Sequence, residues 1–147
     1  MVEQPVFPKD PATLVAFLAA RTEGRLPGLL GIEIVELSPG HSRLALEIDQ
    51  RHEAPNGYLH AGSLITLADT ACGFGCVATL PDGATGFTTL EISSNHVGTA
   101  LQGRLEAVAQ PMHLGRTTQV WDATVTVEPE GRRLALFRCT QMVLYPR

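Results

Sequence analysis

The chain has 147 residues, of which 44% are apolar and 18% are charged. This length and composition fit one folded domain with a single hydrophobic core. A net charge of −4 leaves no basic surface for phosphate backbones, which excludes a nucleic-acid-binding protein. No uninterrupted apolar run reaches the roughly 18 residues that a membrane span needs, so no membrane partner is expected.

Cysteine usage and the N-terminus bear on compartment and metal binding. The three cysteines are too few for a disulfide framework, and their number is odd. Cys72 and Cys76 are four residues apart, but no nearby histidine or cysteine completes a set of four metal ligands. Residues 1–9 lack the apolar segment of a signal peptide. We therefore expect a cytoplasmic protein without a metal or organic cofactor.

The first part of the chain predicts a short helix and then a β-hairpin. Pro11 opens an amphipathic helical pattern, which the glycines and the proline of segment 24–31 interrupt. Alternating apolar residues predict strands over 32–37 and 43–48, joined by a turn that contains Pro39 and Gly40. We expect a single domain over residues 1–147, in which residues 1–30 form an N-terminal helical extension.

The second part predicts one long helix and four strands. After a polar loop over 49–59, a helical pattern runs from Ala61 to Leu80, where Pro81-Asp82-Gly83 ends it. Four strand-like segments follow, over 86–94, 103–110, 117–128 and 132–145. Two strands before a single helix and four after it predict an α+β fold, in which an antiparallel β-sheet wraps around one long central helix.

The helical period separates two faces of the long helix. One is an ordinary core face, formed by Leu64, Leu67, Ala71, Phe74 and Ala78. The adjacent face consists mostly of small or polar residues, which are Gly62, Ile65, Thr66, Asp69, Cys72, Gly73 and Cys76. Because small side chains leave space, this second face is predicted to let another backbone or a ligand approach closely.

The start of this helix and one acid within it predict the chemistry. The turn from Asn56 to Gly62 leads into the helix, where free backbone N–H groups stabilise an anion or a developing oxyanion. Asp69 lies in a largely apolar helix, and a carboxylate there is costly to bury unless it has a function or a partner. The two features together predict acyl-transfer or hydrolytic chemistry.

The segment Gly57-Tyr58-Leu59-His60-Ala61-Gly62, with Asp69 nine residues after His60, resembles the motif of one thioesterase group. That group is the hotdog-fold acyl-CoA thioesterases related to 4-hydroxybenzoyl-CoA and phenylacetate-pathway enzymes. The similarity extends from about residue 31 to the C-terminus. It implies the hotdog fold, hydrolysis of an aryl- or medium-chain acyl-CoA, and dimers that often pair into homotetramers.

The resemblance also implies a set of site residues. The catalytic set consists of Asp69 as nucleophile or general base, the N–H groups of Ala61 and Gly62 as oxyanion hole, and His60 and Asn56. The substrate-binding set consists of Tyr58, Thr66, Gly73, Asn95 and His96.

Three positions depart from the family pattern. Ala61 stands where the family usually has Gly, although a backbone N–H is available from either residue. Ala54 stands where many relatives have an Asn or Gln that contacts the reacting groups, and Asn56 is the amide closest to it. Segment 96–99 replaces the Phe-Leu-Arg-Pro of many relatives, so contacts to the pantetheine arm are expected to differ.

Helix geometry predicts a site shared between two subunits. Ala61 and Asp69 are eight residues apart, which is about 12 Å along a helix axis. The two residues therefore cannot reach one carbonyl group from the same chain. A homodimer with antiparallel helices around a two-fold axis would instead form two equal sites.

Several alternatives stay open from the sequence. Asp69 could be a structural acid that caps a loop or pairs with an arginine, and His60 could only shape the turn. The chain could be a non-catalytic acyl-CoA sensor, or a hotdog hydratase or dehydratase of acyl thioesters. A serine hydrolase is disfavoured, because no G-x-S-x-G segment surrounds Ser63.

Overall fold

Six strands form one antiparallel sheet in the order β1-β2-β4-β5-β6-β3. The computed structural model describes residues 5–147, so residues 1–4 of the expected N-terminal extension lie outside it. The helices are α1 (Pro11–Thr22), α2 (Leu26–Leu29) and α3 (Ala61–Ala78). The strands are β1 (Glu33–Ser38), β2 (His41–Glu47), β3 (Gly86–His96), β4 (Arg104–Leu114), β5 (Thr118–Glu128) and β6 (Arg132–Leu144). The predicted antiparallel sheet around one long helix is confirmed.

The core lies between α3 and the concave face of the sheet. Side chains of β5 alternate between the two faces, so that Trp121, Ala123, Val125 and Val127 are buried while their neighbours are partly exposed. Gly75 allows this packing, because a Cβ atom there would lie 2.6 Å from the Trp121 ring. Close contact between helix and sheet therefore depends on a residue without a side chain at this position.

Helix α3 differs from its prediction in where it ends. It ends at Ala78 rather than Leu80, because Thr79 caps it and its hydroxyl donates to the Gly75 carbonyl at 3.0 Å. Cys72 and Cys76, on the face of small and polar residues, are fully buried. Strand β6 brings Cys139 against Cys72.

Helix α3 is also long and apolar enough, by length and composition alone, to cross a membrane. Its 18 residues have a mean hydropathy of 1.4, but 56% of them are buried inside the protein. The apolar character of the helix is therefore accounted for by its packing within the sheet.

The N-terminal helices form a second, smaller apolar cluster beside α3. Leu14 and Leu18 of α1 pack with Leu37 of β1 and Val77 of α3. The short helix α2 lies in the segment that was predicted only as a break, and Pro27 occupies its first turn, where the missing N–H costs nothing. The extension thus covers the C-terminal half of α3.

Strands β1 and β3 are the two edges of the sheet. Strand β1 is short, with six residues and an irregular register between Ile34 and Glu36. Strand β3 has 11 residues and exposes Leu90 (57%) and Ile92 (42%). A long edge strand with exposed apolar side chains is suited to pairing with another strand.

Candidate active site

Asp69 lies on the partly exposed face of α3, and its Oδ1 atom is buried without a hydrogen-bond partner in the described part of the chain. Burial raises the pKa of this carboxyl above its ordinary value. A structural acid would have a capping or arginine partner, and Asp69 has neither within residues 5–147. An unpartnered, partly desolvated carboxylate is typical of a catalytic group.

His60 caps the N-terminus of α3 with its side chain. The N–H of Gly62 donates to His60 Nδ1 at 2.8 Å. Because Nδ1 accepts this bond, the proton of the neutral imidazole must lie on Nε2. His60 is exposed, so its Nε2–H is available to a ligand.

The two predicted oxyanion donors therefore differ in availability. The N–H of Gly62 is occupied by His60. The N–H of Ala61, the first residue of the helix, has no acceptor among residues 5–147. It points out of the positive end of the helix, where backbone donors are free to bind an anion.

His52 holds the loop before α3 in place, and sequence analysis missed it. Its buried ring accepts from the Asp49 N–H at 2.9 Å and donates to the Leu30 carbonyl at 2.7 Å. Its own carbonyl accepts from the His60 N–H at 2.8 Å and the Ser63 hydroxyl at 3.0 Å. The spacing of Asp49 and His52, three residues apart, was the available signal for this local cap.

Arg51 makes a second tie between this loop and the N-terminal extension. Its guanidinium donates to the Leu29 carbonyl at 2.7 Å and to the Asp49 carboxylate at 2.7 Å. The Arg51 hydrogen bonds lower the pKa of Asp49 to about 2. Arg51 and His52 thus anchor the loop on two consecutive carbonyls of the N-terminal extension, those of Leu29 and Leu30.

Asn56 and Tyr58 lie at the exposed tip of this loop. The Asn56 side chain accepts from the Tyr58 N–H at 3.2 Å, and Gly57 adopts φ +84°. The turn closes through a 2.7 Å bond from the Ala54 N–H to the Tyr58 carbonyl. The Asn56 oxygen is therefore used within the turn, while Tyr58 as a whole residue is 59% exposed.

The remaining predicted residues are divided between α3 and β3. Thr66 donates its hydroxyl to the Gly62 carbonyl at 2.8 Å. Gly73 is buried, and a Cβ atom there would lie 2.9 Å from Phe87 Cζ. Asn95 and His96 are exposed at the end of β3.

Within one chain, Ala61 and Asp69 are eight positions apart on α3. Two cavities of about 480 and 500 Å³ lie away from Ala61 and Asp69. One is beside residues 5–9, and the other is beside the turn after β5. Asp69 lines neither of them. No cluster of three or more metal-binding side chains occurs within residues 5–147.

Comparison with known proteins identifies the family of the chain. The family model of the thioesterase superfamily matches residues 56–133. The 1,4-dihydroxy-2-naphthoyl-CoA hydrolase of Listeria monocytogenes is 36% identical over 111 residues, covering 76% of this chain and 89% of that protein. The proofreading thioesterase EntH of Cronobacter turicensis is 35% identical over 127 residues, covering 86% of this chain and 91% of that protein.

A solved structure, that of thioesterase HI1161 from Haemophilus influenzae, is similar to this fold with a TM-score of 0.83 and 28% identity. The match covers 99% of this chain and 96% of that one. The predicted hotdog fold and thioester-hydrolase activity are confirmed. The chain therefore belongs to the thioesterase superfamily.

Proposed function

We propose that the protein hydrolyses an acyl-CoA thioester to a free acid and CoA, with Asp69 as the catalytic carboxylate. The observation that carries this proposal is the buried Asp69 Oδ1, which has no partner within residues 5–147. Keeping a carboxylate in this state costs stability, and such a cost is typical of active sites.

The proposed oxyanion donors are the Ala61 N–H and the His60 Nε2–H. The Gly62 N–H is left out, because it already donates to His60 Nδ1. This bond gives His60 two functions: it caps the helix through one ring nitrogen and presents a proton on the other. Donors fixed in advance, at the positive end of α3, stabilise the charge that develops on the thioester oxygen.

Two routes from the ionised Asp69 are compatible with this arrangement. In one, Asp69 removes a proton from water, the hydroxide attacks the thioester carbon, and the C–S bond breaks to release CoA thiolate. In the other, the carboxylate attacks the carbon itself, the C–S bond breaks to release CoA thiolate, and water then hydrolyses the resulting mixed anhydride to free acid and carboxylate. Either route needs an unprotonated Asp69 with a free oxygen.

A homodimer is part of the proposal. Ala61 and Asp69 are about 12 Å apart along one helix, so one subunit would supply the oxyanion donors and the other the carboxylate. The exposed edge of β3, with Leu90 and Ile92, supports pairing of two sheets through this strand. The homotetramer is proposed as a pair of such dimers.

The proposed substrate is an aryl- or medium-chain acyl-CoA. A relative named for an aryl substrate, the 1,4-dihydroxy-2-naphthoyl-CoA hydrolase, supports the aryl class. The exposed ring of Tyr58 is available to stack on such a group. The proposed location is the cytoplasm, which suits three cysteines that are all free and buried.

A thiol-release assay with DTNB, on a panel of aryl- and alkyl-CoA thioesters, tests this function. We expect Asp69→Asn to lower kcat by about 10²-fold or more, a loss of roughly 3 kcal/mol in transition-state stabilisation. Asp82→Asn is the matched control, because Asp82 is exposed and pairs only with Lys9 among the described residues. Absence of turnover in the wild type, with acyl-CoA still bound, would favour the sensor instead.

A further inference from the structure

The partly exposed face of α3 ends abruptly one turn beyond Asp69. Gly62, Thr66 and Asp69 on this face are partly exposed, whereas Gly73 is buried. The ring of Phe87, from β3, occupies the space that a side chain at Gly73 would fill. The absence of a Cβ atom thus allows an aromatic ring to lie against the helix at Gly73, one turn beyond Asp69.

The same face is closed beyond this ring. Val77, one further turn along α3, is buried with Leu14 and Leu18 of the N-terminal helix. Phe87 packs on this cluster and is itself only partly buried. Asp69 therefore lies at a boundary, with an open polar surface on its N-terminal side and an aromatic wall on its C-terminal side.

This difference between the two halves of the helix predicts how the substrate is oriented along it. The CoA part is long and carries charged phosphates, so it must extend toward solvent over the open half of the helix. The acyl group is apolar and is better placed against the closed half, where it meets Phe87. Residues i and i+4 of a helix are neighbours, so Gly73 and the ring that packs on it lie one turn beyond Asp69.

We infer that Phe87, seated on Gly73, forms the end wall of the acyl-binding space and determines which acyl groups the enzyme accepts. This inference rests on the proposed function. Gly73 lies about one helical turn, roughly 5.4 Å along the axis, beyond Asp69, which sets the length proposed for the acyl group. It suits one aromatic ring or a short chain, and the edge or face of Phe87 offers an aryl group a favourable contact.

Substitution of Phe87 tests the wall directly. We expect Phe87→Ala to raise kcat/KM for decanoyl-CoA relative to benzoyl-CoA by about tenfold or more, since a change in pocket length alters discrimination by this order. Phe87→Leu keeps more of the packing and should shift the same ratio less. If the alanine variant does not fold, the leucine variant carries the test.

Phe17→Ala is the matched control. Phe17 belongs to the same apolar cluster, but its ring contacts Phe7 and Arg21 rather than Gly73. Its removal should leave the ratio of the two substrates unchanged. A ratio that is also unchanged in folded Phe87 variants would overturn the inference. Failure of the wild type to hydrolyse any acyl-CoA would instead overturn the proposed function, so the two failures are distinguishable.

Discussion

The Gly62 N–H donates to His60 Nδ1 at 2.8 Å, so the histidine that caps α3 is held with its proton on Nε2. This hydrogen bond occupies the Gly62 N–H, which was one of the two predicted oxyanion donors. It also leaves the Nε2–H of His60 available as a donor in its place. The oxyanion site proposed here combines a backbone donor at Ala61 with the imidazole of the preceding residue.

Substitution of His60 separates its capping role from its catalytic role. Asn is a good N-cap and Ala is a poor one, so His60→Ala should lose about 1 kcal/mol of unfolding free energy that His60→Asn retains. Both variants lack the Nε2–H donor, and both should lose about 10²-fold in kcat. Denaturant titration and steady-state kinetics measure the two effects. Near-normal kcat in His60→Asn would show that His60 acts only as the N-cap of α3.

Asp69 is expected to decrease stability at neutral pH. Burial raises its pKa in the folded protein above the value of about 3.8 expected for the unfolded chain. The folded state therefore binds the proton more tightly, and wild-type stability falls as pH rises from the unfolded pKa through the folded one. Above that range, Asp69→Asn should be more stable than the wild type by about 1 kcal/mol.

The pH dependence of catalysis provides a second measure of the same group. The acidic limb of kcat/KM reports the free enzyme, so it should lie above the ordinary pKa of an aspartate. It should also coincide with the pH range in which the stability advantage of Asp69→Asn disappears. Denaturant melts of both proteins across acidic pH give the comparison. If the acidic limb is present but the stability difference between the wild type and Asp69→Asn does not change over the same pH range, the limb belongs to another group.

The edge of β3 is expected to form the dimer contact. A lysine at Leu90 would place a charge on this edge and oppose strand pairing. We expect Leu90→Lys to be monomeric in sedimentation equilibrium and to lose activity, since the proposed site needs two subunits. Leu26→Lys is the control, because Leu26 is equally exposed (58% against 57%) but lies on α2. An active Leu90→Lys monomer would contradict the shared site.

Gly75 tests the packing of α3 against the sheet. Alanine would gain about 1 kcal/mol in helix propensity. It would also bring a methyl group to 2.6 Å from the Trp121 ring, and overpacking of this kind costs about 1–3 kcal/mol. Gly75→Ala should therefore destabilise the fold. Trp121→Phe, in a double-mutant cycle, should recover part of the loss if this contact is the cause.

The sequence was sufficient to predict the order and type of the main elements, because their patterns are local. Apolar residues alternate along β5 and recur with the helical period along α3, because each element buries one of its sides. The contact between Cys72 and Cys139 was not predictable in this way. It depends on how far β6 wraps around the helix, which brings Cys139 to the same side.

For the proposed site, the sequence indicates candidate residues but not the hydrogen bonds that they make. The spacing of His60 and Asp69 is visible along the chain. Occupation of the Gly62 N–H by His60, and of the Asn56 oxygen by Tyr58, depends on side-chain conformation. The role of His52 was missed because its partner, Leu30, is 22 residues away in the chain.

The most direct test of the account is complementation between two inactive variants. His60→Ala damages the proposed oxyanion site and Asp69→Asn removes the carboxylate, so each alone should be nearly inactive. In a mixed dimer, one of the two shared sites would combine an intact His60 from one subunit with an intact Asp69 from the other. An equal mixture that exchanges subunits freely should thus recover about a quarter of wild-type activity. If native mass spectrometry finds mixed dimers and no activity returns, the shared site is contradicted.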